Sequence, residues 1–163
     1  MTATDTLGDQ AMHLDTKLCF AVHAASRAFD GLYRITLRQT GLTYPQYLVM
    51  LLLWEHGELS IKRLGEKLRL DSGTLSPLVK RLEAAGLVVR RRDASDERSV
   101  MVHPTEAGLE MRAKVYEIST RTALVTDMSL AEAQDMRARL SRLTESLDAA
   151  IERLTAGSPT RAT

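Results

Sequence analysis

One thiol, four imidazoles and a concentration of guanidinium and ammonium groups are the chemistry-bearing side chains of this 163-residue chain. The thiol is Cys19, and no second cysteine exists to form an intramolecular disulfide or a cysteine-rich zinc site. His13, His23, His56 and His103 have no metal-ligand spacing, and no glycine-rich phosphate loop is present. The pattern therefore points to no enzyme, no metal and no cofactor. The cations are unevenly placed: ten Lys and Arg fall between Ser60 and His103, against six Asp and Glu, in a chain whose total charge is only +1. Phosphate neutralisation supplies most of the non-specific affinity for nucleic acid, so this segment suits a polyanion. A solvated charged face is the plainer alternative for the charge taken alone.

The elements that must carry those cations are legible. Ile61, Leu64 and Leu68 form one apolar stripe on a short charged helix from Ser60. Leu70-Asp71-Ser72-Gly73 interrupts it with residues that favour turns and caps. A second helix is expected from about Thr74 to Ala85, with Leu75, Leu78, Val79 and Leu82 inward and Gly86 as its left-handed stop. Leu87–Arg92 and Ser99–His103 then flank the polar, basic stretch Asp93–Arg98 as a hairpin. Arg90 and Arg92 share one face of its first strand. Helix, turn, helix and basic hairpin describe a mainly α, winged helix-turn-helix protein, whose second helix enters the major groove of double-stranded DNA.

Around this module, for which we expect about residues 42–103, a single domain over 13–154 fits the length. Residues 1–12 are polar and aperiodic and read as a mobile arm. A long helix should start near Asp15 or Thr16, either a possible cap, and run to about Gln39, with Leu14, Leu18, Val22, Phe29, Leu32 and Ile35 as its apolar positions. Thr43 and Pro45 open a helix over about Tyr44–His56 that is apolar on several faces and should be the buried core. After the hairpin, helices are expected over Thr105–Thr126 and Leu130–Leu154, the latter capped by Ser129. Met136, Leu140, Leu143, Leu147 and Ile151 recur on it as a one-sided seam. Apolar seams on the helices at 13–39 and 105–154 point to a homodimer, the arrangement that reads two-fold symmetric half-sites. The tail Thr155–Thr163 is expected to be disordered. The longest apolar run, Tyr47–Trp54, is too short for a membrane span and the N-terminus carries no export signal, so a reducing cytoplasm is the expected location.

A cysteine in an apolar helix is most often an inert small hydrophobe. Cys19 lies about one turn from the expected helix start, where the dipole favours a thiolate by a few tenths of a kcal/mol. That is too little to activate a thiol without hydrogen-bond donors.

Several stretches resemble the MarR family of winged-helix repressors: Gly41-Leu42-Thr43-Tyr44-Pro45-Gln46-Tyr47, Leu70 to Leu82, and the wing segment with Asp96 and Arg98. Leu18-Cys19-Phe20-Ala21 together with Thr43–Tyr47 resembles the organic-hydroperoxide-sensing (OhrR-like) branch, and the likeness spans about Lys17–Arg112. The resemblance implies an obligate dimer that represses a peroxide-detoxification gene from a pseudo-palindromic operator and releases it when organic hydroperoxide oxidises Cys19. It nominates Tyr33 and Tyr44 as donors to the sulfur. Tyr33 lies fourteen residues beyond Cys19, about 21 Å along a straight helix at 1.5 Å per residue. Contact would therefore have to come from the partner subunit, with the first helices antiparallel. A tyrosine that some relatives place one turn after the cysteine is His23 here. Some relatives also carry a second, disulfide-closing cysteine, which this chain lacks, so oxidised Cys19 persists, over-oxidises or is capped by a small thiol. For DNA, the positions matching the family's contacts are Ser72, Thr74, Ser76 and Arg81 on the recognition element and Arg98 at the wing, with Asp96 orienting Arg98. Arg98 would suit a narrow A·T-rich minor groove.

Other readings stay open on the sequence alone. One is a regulator of this type relieved by a small aromatic ligand, with Cys19 structural. The others are a thiol peroxidase, which would lack a resolving cysteine, and a winged-helix protein-interaction module, whose basic wing would go unexplained.

Overall fold

The computed structural model describes residues 13–92, 99–124 and 126–156; the expected arm at 1–12, the wing residues Asp96 and Arg98, and the tail from 157 lie outside them. The chain divides into two compact units, Met1–Ala123 and Leu124–Thr163. In the first, α1 (Leu18–Thr36) leads to α2 (Tyr44–His56), a short strand β1 (Leu59–Ser60), α3 (Ile61–Leu68), α4 (Ser72–Ala84), β2 (Val88–Arg92), β3 (Val100–Pro104) and α5 (Glu106–Leu124). The second contains α6 (Leu130–Ala156).

The core is built on α2. Tyr47, Val49, Met50 and Leu53 are buried there, because an all-round apolar helix has no face to offer to water. Leu64 of α3, the inward row Leu75, Leu78, Val79 and Leu82 of α4, Val88, Val102 and Val115 complete the cluster. Helix α2 starts as expected at Thr43, with the Gln46 side-chain oxygen accepting from the Thr43 amide at 2.9 Å and its hydroxyl at 3.1 Å. Ser129 opens α6 in the same manner, its hydroxyl and amide donating to Glu132 at 2.6 and 2.8 Å.

The first helix departs from expectation at both ends. Asp15 and Thr16 do not cap it: they form a 3-10 turn over Leu14–Thr16 in which the Thr16 hydroxyl donates back to the His13 carbonyl at 2.8 Å. The α-helix begins only at Leu18, and its cap residue Lys17 has no side-chain acceptor to offer. At the far end Leu37 drops into the core, and a 3-10 turn over Arg38–Thr40 runs into Gly41 at φ 70°. The apolar positions of this helix, expected to form a seam for a second subunit, are largely exposed within the chain, from Val22 at 38% to Ile35 at 75%. In the second unit, Met136, Leu140, Leu147 and Ile151 of α6 are exposed as well. Helix α6 also extends two residues past the expected end, taking in Thr155, whose hydroxyl bonds to the Ile151 carbonyl.

The hairpin gains a strand. β3 pairs antiparallel with β2 in the register Arg90↔Val102 and with β1 through Leu59↔Val102, giving the order β1-β3-β2. Ser60 was expected to begin the helix; it instead ends the strand and caps α3, accepting from the Arg63 amide at 3.1 Å. Helix α4 closes at Gly86, φ 72°, in a Schellman arrangement: the Leu87 amide reaches the Leu82 carbonyl at 3.0 Å and the Gly86 amide the Glu83 carbonyl at 2.9 Å.

Helix α5 is stitched beneath this turn. Thr105 donates its hydroxyl to the Gly86 carbonyl at 2.6 Å and its amide to the Leu87 carbonyl at 3.0 Å, while the same hydroxyl oxygen caps α5 by accepting from the Gly108 amide at 3.1 Å. The Trp54 indole donates to the Gly108 carbonyl at 2.8 Å. A Cβ at Gly108 would fall on the Leu87 carbonyl oxygen, deep inside van der Waals contact, and the opposing atoms are backbone. Gly108→Ala is accordingly expected to cost about 2 kcal/mol or more of stability by overpacking. A urea-unfolding midpoint equal to that of the wild type would refute this close approach.

Candidate nucleic-acid interface and thiol site

The recognition element begins two residues earlier than its sequence implied, because Asp71 rather than Gly73 marks the boundary. Arg69 turns the chain at φ 56°, and Asp71 caps α4. One Asp71 oxygen accepts from the Thr74 amide and the other from the Thr74 hydroxyl, each at 2.9 Å. Those bonds hold the Asp71 carboxyl below the usual carboxylate range, the Thr74 amide contributing most. They also constrain Thr74. Its one hydroxyl proton is spent on Asp71, so its oxygen can accept from a base amino group, whereas donation to a phosphate would break the cap.

With Leu75, Leu78, Val79 and Leu82 turned inward, the rest of α4 is its outer face. Ser72 and Arg81 are exposed on it, and Ser76 is half-buried at its edge. Lys80, one turn beyond Ser76 and exposed, lies between Ser76 and Arg81 on that face. It was not among the candidate contacts, although its i+4 spacing from Ser76 was visible in the sequence.

In the wing, the three consecutive arginines divide. Arg90 does not reach outward: its amide donates to Glu83 Oε1 at 3.1 Å, and its Nε and Nη2 approach Glu83 Oε2 at 2.8 and 2.6 Å. This pair clamps β2 to α4 and holds the Glu83 carboxyl below its ordinary range, the Arg90 side chain being the main cause. Arg91 and Arg92 are exposed, and Arg92 pairs with Val100 at the outer end of the described ladder. His103 Nδ1 lies 2.8 Å from Glu58 at the opposite end of the sheet.

Cys19 is the second residue of α1 and is exposed. It is therefore closer to the helix terminus than expected, among the first amides that lack intrahelical acceptors. His23 is exposed one turn further on. The structure brings Tyr33 and Tyr44 together but not to Cys19. Their rings stack with centroids 4.5 Å apart, while α1 runs unbroken from Cys19 to Tyr33. At 1.5 Å per residue that separation is about 21 Å, beyond the reach of any phenol. A third tyrosine joins the pair: Tyr47, 5% exposed, has its ring centroid 5.4 Å from that of Tyr33 and 6.3 Å from that of Tyr44. Burial, reinforced by Tyr47 and Tyr44, pushes the Tyr33 phenol up to about 12, and burial likewise raises Tyr44. Both are protonated donors at neutral pH. Tyr47 belongs to the α2 core, and its i, i+3 spacing from Tyr44 is the sequence signal that the two share a face.

A helix pair joined by a capped left-handed turn, followed by an antiparallel wing clamped to the second helix, defines a winged helix-turn-helix protein. Comparison with known proteins gives the family. Residues 42–100 match the MarR family. The chain is 45% identical over 141 residues to the helix-turn-helix transcriptional regulator TtmR of Methylorubrum extorquens, covering 86% of this chain and 72% of that protein. It is 41% identical over 136 residues to the organic hydroperoxide resistance transcriptional regulator of Bacillus subtilis, covering 83% and 92%. Among solved structures, DNA-bound AbfR superposes in its reduced form with a TM-score of 0.75 at 33% identity, covering 87% of this chain and 97% of that one. The overoxidised, DNA-bound form of AbfR gives 0.72 at 35%, covering 85% and 97%. The chain belongs to the MarR family of winged-helix transcriptional regulators. Among the described residues, no helix is long and apolar enough to cross a membrane.

The Glu83–Arg90 clamp makes a pH prediction. A carboxyl whose pKa is depressed by folding contributes stability above its unfolded value, about 4.3, and loses it as the pH falls through the folded value. Wild-type stability should therefore drop in acid below about pH 5. Glu83→Gln should show a shallower drop over the same interval in urea titrations at stepped pH. Identical slopes would mean that the clamp is not formed in solution.

Proposed function

We propose that this chain is a homodimeric repressor that binds a pseudo-palindromic operator and releases it when organic hydroperoxide oxidises Cys19. The observation that carries the reading is the thiol itself: the single cysteine is exposed at the start of α1, while the two phenols suited to stabilise it sit fourteen residues along the same helix or packed beside that point. Antiparallel α1 helices across a two-fold axis would bring Tyr33 and Tyr44 of each subunit to the Cys19 of the other. Exposed Leu18, Phe20, Val22, Phe29 and Ile35 on α1 supply apolar surface for such an interface. The likeness to the Bacillus subtilis hydroperoxide resistance regulator supports the inducer class.

In this reading the Cys19 thiolate attacks the terminal oxygen of ROOH, the O–O bond breaks, and the alcohol leaves after taking a proton, giving sulfenic acid. Condensation with a small thiol then forms a mixed disulfide and releases water. AbfR is found bound to DNA in its overoxidised form. That favours the bulkier mixed disulfide, rather than further oxygen on sulfur, as the releasing species here. On the DNA side, Ser72, Thr74, Ser76, Lys80 and Arg81 on α4 would face the major groove. Arg98, oriented by Asp96, would enter the minor groove, and no membrane or cofactor takes part. A dimer sets two such helices one turn of DNA apart, so a change at the α1 interface alters half-site spacing.

Two measurements test this. Cys19→Ser should bind DNA from upstream of the protein's own gene as tightly as wild type, by fluorescence anisotropy, yet keep it after stoichiometric cumene hydroperoxide and a small thiol. Release of that variant would remove Cys19 as the sensor, and mass spectrometry of the wild type would identify the adduct. Arg98→Ala should cost about 1–3 kcal/mol of operator affinity at matched salt; an unchanged Kd would exclude its insertion.

A further inference from the structure

The recognition helix opens on a hydroxyl whose proton is already committed. Thr74, the third residue of α4 and exposed, donates that proton to Asp71 Oδ2 at 2.9 Å, while its amide donates to Asp71 Oδ1 at 2.9 Å. Residues at the start of a recognition helix are the ones that meet base edges. We propose that Asp71 is a positioning residue of DNA recognition: it makes Thr74 an acceptor only, so that each half-site carries an amino base, adenine or cytosine, where Thr74 meets it. This rests on the reading that Thr74 faces a base in the major groove.

The proton count carries the argument. A threonine hydroxyl has one proton and two lone pairs, and an ionised carboxylate has no proton to lend. The bonds from Thr74 favour the ionised form of Asp71, the amide contributing most. The Thr74 oxygen is left with lone pairs alone to offer. In the major groove, adenine N6 and cytosine N4 present donors, whereas guanine O6 and N7 and thymine O4 present acceptors. An amino base satisfies the oxygen and leaves the cap intact. A keto base sets acceptor against acceptor, unless Thr74 withdraws its proton from Asp71 and gives up a charge-assisted bond. Donating to an anion also polarises the hydroxyl, which makes its oxygen the better acceptor.

The surroundings agree. A phosphate oxygen at Thr74 would bring a second negative charge beside Asp71, so the pair suits a base edge rather than the backbone. Glycine at 73 makes room for the carboxyl, since a Cβ there would lie 3.0 Å from Asp71 Oδ1. Lys80 and Arg81, exposed further along α4, supply the positive charge for phosphate that this acidic end lacks.

The test uses the full chain and selection from a randomised duplex library, comparing wild type, Thr74→Val and Asp71→Asn. Thr74→Val removes the hydroxyl and should relax selection at one position of the half-site. At that position wild type should favour adenine or cytosine over guanine or thymine by about tenfold per half-site. Asparagine caps helices as well as aspartate does, so Asp71→Asn keeps the fold. Its oxygen still accepts from the Thr74 amide, but its NH2 group donates to the Thr74 oxygen and turns the Thr74 proton toward the groove. The preference should invert to guanine or thymine. Loss of a negative charge raises affinity for all duplexes alike, so the ratio between bases is the readout. Failure of Asp71→Asn to invert the ratio, or a keto base selected by wild type, overturns the Asp71 role while the Thr74 contact stands. No position relaxed in Thr74→Val overturns it together with the groove reading on which it rests. A second measurement needs no Asp71 variant: purine in place of adenine, or 2-pyrimidinone in place of cytosine, removes only the amino group at that position. An unchanged wild-type Kd for that duplex overturns the proposal as well.

Discussion

Burial of α2 is the constraint on which the DNA-binding unit depends. A helix apolar on nearly every side is soluble only when surrounded, and the elements that surround it are the ones that carry the chemistry: α3 and α4 through Leu64 and Leu75, the sheet through Val102, and α5 through Val115. The indole of Trp54 extends the same helix to α5 by a hydrogen bond to the Gly108 carbonyl. The closeness of that approach leaves no room for a Cβ at Gly108. Recognition helix, wing and the helix leading out of the wing are thus referred to one rigid axis, as a surface reading a stiff duplex requires.

Within that frame the recognition helix is held at both ends by polar devices. Asp71 ties its first turn, the Schellman turn at Gly86 closes its last, and Glu83 near that end locks the wing through Arg90. The cap and the clamp each spend a group that a count of polar and basic side chains would have offered to DNA. The Thr74 proton belongs to the cap and the Arg90 guanidinium to the clamp, so the basic excess available to phosphate is smaller than the sequence total. Lys80, Arg81, Arg91 and Arg92 are the exposed cations that remain on α4 and β2.

At the thiol end the governing fact is length. One unbroken helix separates Cys19 from Tyr33, so the helix that presents the sulfur also keeps the Tyr33 of its own chain out of reach. A sensor assembled from these residues needs two copies of the chain, and the exposed apolar side chains along α1 are the counterpart of that requirement. Tyr33, Tyr44 and Tyr47 meanwhile share burial, and burial keeps phenols protonated and able to donate.

Much of this architecture was written locally. The stripe Leu75, Leu78, Val79, Leu82, the stop at Gly86, the Thr43 and Ser129 caps and the β-branched runs of the wing depend on spacing and backbone preference over a few residues, and each appears in the folded chain. The winged-helix class followed from them. What needed tertiary structure was every choice between two local options. Asp15 and Thr16 could cap α1 but closed a 3-10 turn instead, and Leu37 left the helix because the core could take it. β1 exists only because β3 offers it an edge. Periodicity could mark the apolar face of α1 but not its exposure, since a helix pattern does not say whether its partner lies in the same chain. Nor could it tell which of three adjacent arginines would meet Glu83, or that the rings of Tyr33, Tyr44 and Tyr47 would gather in one cluster. Those are contacts between residues on different elements, decided by packing around α2.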